Sequence, residues 1–286
     1  MRRLILLALL LTSCSTSRPT LDQQLDRILA EHPAQTIAIS YRDLTTGSEL
    51  HRNERVVFHA ASTMKVPVML GIFEAVSRGE LRLDQPVRVH NEFTSILDGS
   101  KYSLEAREDS DKSLYERIGA EVPLEELVRR MIVRSSNLAT NVVIEFVGAK
   151  RVMALMREIG ATDIQVLRGV EDDKAYHAGM NNTTTSRDLM QILRILGERK
   201  ALSPEASAAM IDILLAQEFN DGIPAGLPPG TRVAHKTGSI TAIAHDAALI
   251  LGDRPYVLVV LTRGFAKSEE AERVMAEISR VVFKAR

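Results

Sequence analysis

Ser62-Thr63-Met64-Lys65 sets a hydroxyl and an amine three residues apart. An apolar run follows at once (Val66, Val68, Met69, Leu70, Ile72, Phe73, Val76), and it predicts a helix over Thr63–Arg78. Residues three apart share a helix face, so the amine can reach the hydroxyl. A serine alcohol is a weak nucleophile until a neighbouring base takes its proton. The helix N-terminus adds N–H groups and a positive field, which favour an oxyanion formed there. The bland alternative is a surface serine with a solvated lysine one turn away. This is, however, the only Ser-x-x-Lys in the chain, and two further polar clusters follow it.

The second cluster is Ser135-Ser136-Asn137. Pro123 suits a first helical position, and Leu124, Leu127, Val128 and Met131 form one apolar stripe before the cluster. A second helix is expected from Leu138 to Val147, stopped by Gly148. The three polar residues therefore occupy a tight interhelical turn, from which side chains can enter a cleft. The plainer reading is a helix cap by Ser135 or Ser136. The third cluster, Lys236-Thr237-Gly238-Ser239, ends a short alternating segment (Arg232–Lys236). It precedes two apolar segments, Ala242–Leu251 and Tyr256–Thr262, which Asp253 and Arg254 join as a hairpin. Gly238 on such a strand lets a substrate approach closely. Alternatively, Lys236 is an edge-strand lysine that discourages aggregation. His235, beside it on the strand, is expected to face away from the cleft.

In order, Ser-x-x-Lys, Ser-x-Asn and Lys-Thr-Gly resemble the motif set of penicillin-recognising serine enzymes. From about residue 21 to the C-terminus the chain is similar to the class A β-lactamases and their relatives among the penicillin-binding proteins. Phe58-x-x-Ala61-Ser62, Asn182–Thr185 and His245-Asp246 carry the same resemblance. It implies that Ser62 is the acylated nucleophile and Lys65 its base or proton relay. It implies that Ser135, assisted by Lys236, passes a proton to the leaving nitrogen. Asn137 would bond the substrate's side-chain amide, and Thr237 and Lys236 its carboxylate, beside Gly238 and Ser239. The backbone N–H groups of Ser62 and Ser239 would form the oxyanion hole.

The chain departs from the family in two places. The family's Arg-x-Glu-x-x-Leu-Asn loop, whose glutamate and asparagine hold the deacylating water, reads Arg168-Gly169-Val170-Glu171-Asp172-Asp173-Lys174-Ala175 here. Arginine and glutamate are one residue too far apart, and the Leu-Asn pair is missing. Glu171 is the leading candidate for general base, with Asp172 and Asp173 as rivals; alternatively all three are solvated loop acids. In the second motif Ser136 stands where β-lactamases usually carry aspartate. The charge-dense stretch Glu105–Lys112 reads as a solvated surface insertion, or as a lid with Tyr102 or Tyr115 at its rim.

Arg2, Arg3 and the apolar run Leu4–Leu11 predict a secretory leader over residues 1–13. Leu11-Thr12-Ser13-Cys14 resembles a bacterial lipobox, so the only cysteine, Cys14, is the expected lipidation site, with residues 14–20 as a tether. An ordinary leader cleaved near Ser13 or Ser15 is the alternative. Periplasmic attachment, by the lipid anchor only, is the corresponding location, with the outer membrane favoured. Lys plus Arg total 36 against 37 Asp plus Glu, which gives no electrostatic case for nucleic acid. The seven histidines show no metal-ligand spacing, so no metal and no cofactor is expected.

The expected fold is α+β. A mostly antiparallel sheet comes from both chain ends (about 21–60 and 220–286), and a helical subdomain (about 61–219) is inserted, as the β-lactamase/transpeptidase-like resemblance implies. The expected activity is hydrolysis of β-lactams through an acyl-Ser62 intermediate by a monomer. The alternatives are a D-alanyl-D-alanine carboxypeptidase or penicillin-binding protein acting on peptidoglycan stem peptides, and a sensor lipoprotein that is acylated without turnover.

Overall fold

The middle strand of the sheet, Tyr256–Arg263, is apolar without interruption from Tyr256 to Leu261 because both faces of the sheet are covered. The structure, a computed structural model, describes residues 19–286; the expected leader and Cys14 lie outside the described residues. A reciprocal cap between Thr20 and Gln23 starts α1 (Leu21–Glu31). β1 (Thr36–Asp43), β2 (Glu49–Arg52) and β3 (Phe58–His59) follow. A 3₁₀ turn over Ala61–Met64 then runs into α2 (Lys65–Ser77). β4 (Pro86–Arg88), β5 (Phe93–Thr94), β6 (Lys101–Tyr102) and β7 (Glu121–Pro123) make two small pairs, β4 with β7 and β5 with β6. Next come α3 (Leu124–Val133), α4 (Asn137–Val147), α5 (Ala149–Glu158) and α6 (Asp173–His177). β8 (Thr183–Thr184) pairs with β3 and leads to α7 (Ser186–Gly197) and α8 (Pro204–Leu215). β9 (Arg232–Ile240), β10 (Ile243–Leu251), β11 (Tyr256–Arg263) and α9 (Ser268–Ala285) complete the chain.

Five strands form one antiparallel sheet in the order β2-β1-β11-β10-β9, so both chain ends contribute to it, as expected. Alternation divides its side chains between two cores. Ala38, Ala247, Leu249, Val257, Val259 and Leu261 face the helical side, where α7 lies across β1, β10 and β11. Ile37, Ile39, Tyr41, Ile250, Leu258 and Val260 face α1 and α9. A strand buried on both sides reads as a continuous apolar run, which is how Tyr256–Thr262 reads.

On the helical side, α2 is buried from Lys65 through Ala75 and is enclosed by α3, α4, α5 and α8. A helix that is apolar all round belongs in such a place. Its expected start at Thr63 is corrected by the structure. Ser62 and Thr63 lie in the 3₁₀ turn, and regular α-helix begins at Lys65. Pro67 is the physical reason: without an N–H it cannot bond the Thr63 carbonyl, so the α-ladder cannot extend back to the serine.

Leu258 is fully buried on β11 at the centre of the α1/α9 core. Leu258→Ala is expected to cost about 2–5 kcal/mol. Equilibrium urea unfolding measures this as a lowered midpoint at unchanged slope.

Candidate active site

Ser62 sits where the 3₁₀ turn meets the outer strand of the sheet. β9 presses on that turn through Gly238, where an added Cβ would stand 2.9 Å from both the Ser62 and the Thr63 nitrogens. Any side chain at 238 would therefore fill the space in front of those two N–H groups. Behind the turn, Ala60 donates its N–H to the Asn182 carbonyl, and the Thr63 hydroxyl bonds the Ala60 carbonyl. Fully buried His245 of β10 reaches the His59 carbonyl through Nε2 at 2.9 Å, while its Nδ1 accepts the Thr262 N–H at 3.2 Å. Burial lowers the imidazole pKa to about 4, so His245 is a neutral strut between β10 and the serine segment.

Two buried lysines meet one hydroxyl. Lys65 Nζ donates to the Ser135 carbonyl (2.6 Å), Ser135 Oγ (3.2 Å) and Asn137 Oδ1 (2.8 Å). Lys236 Nζ donates to the same Ser135 Oγ at 3.0 Å and to the Thr237 carbonyl at 2.9 Å. Ser135 Oγ thus accepts from both amines, which leaves its own hydrogen to face outward. Burial lowers the Lys65 pKa to about 7, opposed by the charges of Asp109 and Glu171. Burial, and then the neighbouring Lys65, hold Lys236 well below the ordinary lysine range. One expected contact is not made: among the described residues, Lys65 has no hydrogen bond to the Ser62 hydroxyl. Its three bonds all go to residues 135–137.

The Ser135–Asn137 turn is interhelical, as its sequence indicates. Ser135 has φ +57°, and Ser136 caps α4 by accepting the Ala139 N–H. Asn137 Nδ2 donates to Glu171 Oε1 at 2.6 Å, so one amide links Lys65 to Glu171. Burial raises the Glu171 pKa; the Asn137 bond opposes this, and the charge of Asp109 adds to it.

The extra residue between Arg168 and Glu171 is accommodated by tight packing. Asn141 accepts the Val170 N–H at 2.6 Å and donates to the Val170 carbonyl at 3.0 Å. A Cβ on Gly169 would lie 2.3 Å from Asn141 Oδ1, so a side chain there would displace the Asn141 amide from Val170. Glu171 then takes φ +59°, which turns its carboxylate towards Asn137. Of its rivals, Asp172 is buried and engaged: it accepts from Ser95 Oγ, the Ile96 N–H and the Ala175 N–H. Asp173 is exposed in the first turn of α6.

The Glu105–Lys112 stretch is mostly exposed, as a surface insertion should be, but two of its acids turn inward. Asp109 and Asp111 are each only 2% exposed. Asp109 bonds the start of α4, and Asp111 pairs with Arg130 and Arg134. Neither tyrosine lies free at a rim. Tyr115 donates to Asp109, and Tyr102 bonds Val170 and Asn141 beneath the Glu171 loop. Fully buried His235 points away from the lysines onto Asp246 (2.9 Å) and Asn220 (3.3 Å). The acids of this run are Glu105, Glu108, Asp109 and Asp111, a spacing with no period to separate Asp109 from its solvated neighbours.

Two spaces share Ser62, Asn137 and Ser239 in their walls. One, of about 280 Å³, is lined by Ser62, Ser135, Asn137, Thr237, Gly238 and Ser239. The other, of about 260 Å³, reaches past Ser62 and Asn137 to Glu171, Tyr176 and Ile240. The sequence-derived residues are therefore brought together around one hydroxyl. Such a cleft offers a nucleophile, two amines that readily lose a proton, a carboxylate and backbone donors, which is the equipment of acyl transfer.

The neutral state of His245 makes a prediction about stability. The unfolded imidazole binds a proton below about pH 6.5, and the folded one resists it until about pH 4. Stability is therefore fully present above pH 6.5 and falls as the pH drops through that window. The urea midpoint of His245→Gln should depend less on pH between 6.5 and 4 than that of the parent chain.

Comparison with known proteins agrees with this geometry. The chain is 24% identical to the extended-spectrum beta-lactamase PER-1 of Pseudomonas aeruginosa over 287 residues, 94% of this chain and 88% of that protein. Among solved structures, PBP-A superposes with a TM-score of 0.78 at 26% identity, covering 93% of this chain and 95% of that one. An ancestral class A beta-lactamase superposes at 0.80 with 26% identity, covering 93% and 100%. The model of the beta-lactamase enzyme family matches residues 20–285, which places every cleft residue inside the match, and the chain belongs to that family.

Proposed function

We propose that this protein is a serine β-lactamase that opens β-lactam rings through an acyl-Ser62 intermediate. The observation that carries the reading is the convergence of two buried amines on the Ser135 hydroxyl, with Asn137 linking one of them to Glu171. Its family membership and the beta-lactamase relatives support the substrate class.

Ser62 Oγ attacks the lactam carbonyl while the oxygen develops negative charge towards the Ser62 and Ser239 N–H groups. Lys65, with a pKa near 7, is a free amine for much of the time at neutral pH and takes up the serine's proton. As the ring C–N bond breaks, Ser135 gives its free hydrogen to the nitrogen and recovers a proton from the lysines that bond it. Lys236, with Thr237, holds the substrate carboxylate. The second Asn137 amide hydrogen stays free for the substrate's side-chain carbonyl. For deacylation, Glu171 takes a proton from the attacking water, its basicity raised by burial. The water oxygen bonds the acyl carbon, the ester bond to Ser62 Oγ breaks, and the proton taken by Glu171 returns to Ser62 Oγ, which leaves the ring-opened acid and free Ser62.

A penicillin-binding role with slow release is the second reading. What favours it is the likeness to PBP-A, of which a single-residue mutant is described as an acyl-enzyme complex with penicillin G. Turnover of benzylpenicillin followed by intact mass separates the two. Many turnovers with a transient adduct support hydrolysis, and one lasting equivalent supports the second reading. Ser62→Ala is expected to abolish the adduct. Glu171→Gln is expected to acylate and then retain it, with turnover down by about 100-fold or more; unchanged turnover would move the base elsewhere.

The lipobox-like segment ending at Cys14 supports a lipid-anchored enzyme facing the periplasm. Labelling with a fatty-acid probe, lost in Cys14→Ser, tests that location.

A further inference from the structure

We infer that Asp109 is a positioning residue of this reaction: its carboxylate fixes the Ser135–Asn137 turn and supplies the negative charge against which the catalytic amine is held. The inference rests on the acyl-Ser62 reading. It begins from a group that neither the motifs nor a solvated surface segment accounts for. Asp109 is buried, and among the described residues it forms no ion pair with a lysine or arginine. Its bonds all go to the start of α4 and its surroundings. Oδ2 accepts the Asn137 N–H (2.9 Å), the Leu138 N–H (2.8 Å) and the Tyr115 hydroxyl (3.1 Å), and Ser136 Oγ lies 3.5 Å away. Oδ1 accepts the Asp111 N–H at 2.9 Å.

The first N–H groups of a helix need outside acceptors, and a carboxylate is the strongest available. Ser136 can satisfy only one such donor, at Ala139. Asp109 takes the two before it, and these belong to the residue whose side chain meets both Lys65 and Glu171, and to its neighbour. The carboxylate thus sets where Asn137 stands and the conformation of the turn that carries Ser135.

Its charge acts on the same groups. Lys65 is faced by Asp109 from the Glu105–Lys112 stretch, by Glu171 from the loop before α6 and by Lys236 from β9; of the two acids, Asp109 favours its charged form more. Glu171 is faced by Asp109, Lys65 and Asp173. Removing the charge of Asp109 therefore lowers the pKa of Lys65, by loss of an attraction, and that of Glu171, by loss of a repulsion. Whichever of them is the base, the acid limb of the acylation profile moves to lower pH.

The test is Asp109→Asn in the full chain, which keeps an acceptor oxygen and loses the charge. The readout is the second-order rate of Ser62 acylation by benzylpenicillin from pH 5 to 9, followed by intact mass. Expected is a loss of about 10- to 100-fold at neutral pH, the size of a small displacement of reacting groups, with the acid limb moved to lower pH. An unchanged rate overturns the inference. So does a slowed rate with the limb unmoved, since that is what a merely structural cap gives. If Asp109→Asn does not fold, the double variant Asp109→Ser with Ser136→Asp decides, because it returns one carboxylate to the same helix end. Acylation with the parent's acid limb supports the inference, and a folded protein whose limb stays displaced overturns it. A parent chain that never acylates would instead remove the acyl-Ser62 reading, and this inference with it.

Discussion

The structure depends on keeping two amines out of water within reach of one hydroxyl. A lone ammonium buried without compensation is so costly that it gives up its proton. Lys65 and Lys236 are both fully buried, and the charge of Lys65 adds to the burial that keeps Lys236 from staying charged. The fold answers with carboxylates from three different places. Asp109 comes from the segment after β6, Glu171 from the loop before α6, and Asp246 from β10, where it favours the charged form of Lys236. No single element could supply this set. The sheet, the helical insert and the loop before α6 must all be in place before the amines can be buried, so the folded state and the reactive state are specified together.

Each amine is carried by an element whose own packing is not negotiable. Lys65 opens a helix buried on every side, so its backbone cannot move without disturbing α3, α4, α5 and α8. Lys236 lies on β9, paired with β10 along the whole strand. The serine turn is held between them by contacts that are close and mostly backbone: Gly238 against its nitrogens, Asn182 on Ala60 and His245 on His59. Precision at a reacting centre comes from rigid supports of this kind.

Much of this was legible in the chain, because the signals were local and repetitive. The apolar run after Lys65, the stripe before Ser135, and the paired apolar segments after Gly238 gave helix, helix and hairpin. The sheet made from both chain ends was implied by the family resemblance that the three motifs carry. The apolar run alone does not mark the start of α2, because it is Pro67, through its missing N–H, that stops the ladder from reaching back to Thr63. In the mostly exposed Glu105–Lys112 stretch, the inward turn of Asp109 is illegible for a different reason. Nothing in a run of acids and bases tells which carboxylate turns inward, because the donors that call for Asp109 lie 28 and 29 residues further on, at Asn137 and Leu138. The Glu171 loop was readable as a candidate only. Its extra residue is resolved by Asn141 and by the absence of a side chain at Gly169, neither of which is a local signal.

Backbone strain is present at the site itself. Of the seven non-glycine residues with positive φ among those described, three are Ala61, Ser135 and Glu171. Each adjoins or is a residue that meets the cleft. Such conformations cost roughly 1–3 kcal/mol each and persist only when their surroundings over-determine them. Here the over-determination is visible. Ala61 is clamped between the His59 imidazole, which accepts its N–H, and Gly238. Ser135 is tied by its carbonyl to Lys65, and Glu171 by its carboxylate to Asn137. The bonds that hold the strain are thus the bonds that align nucleophile, proton donor and base. Relaxing any one of the three backbones would release strain locally and misplace a reacting group by about the distance that catalysis cannot tolerate. The alignment of the site is therefore a property of the surrounding packing more than of the motif residues themselves.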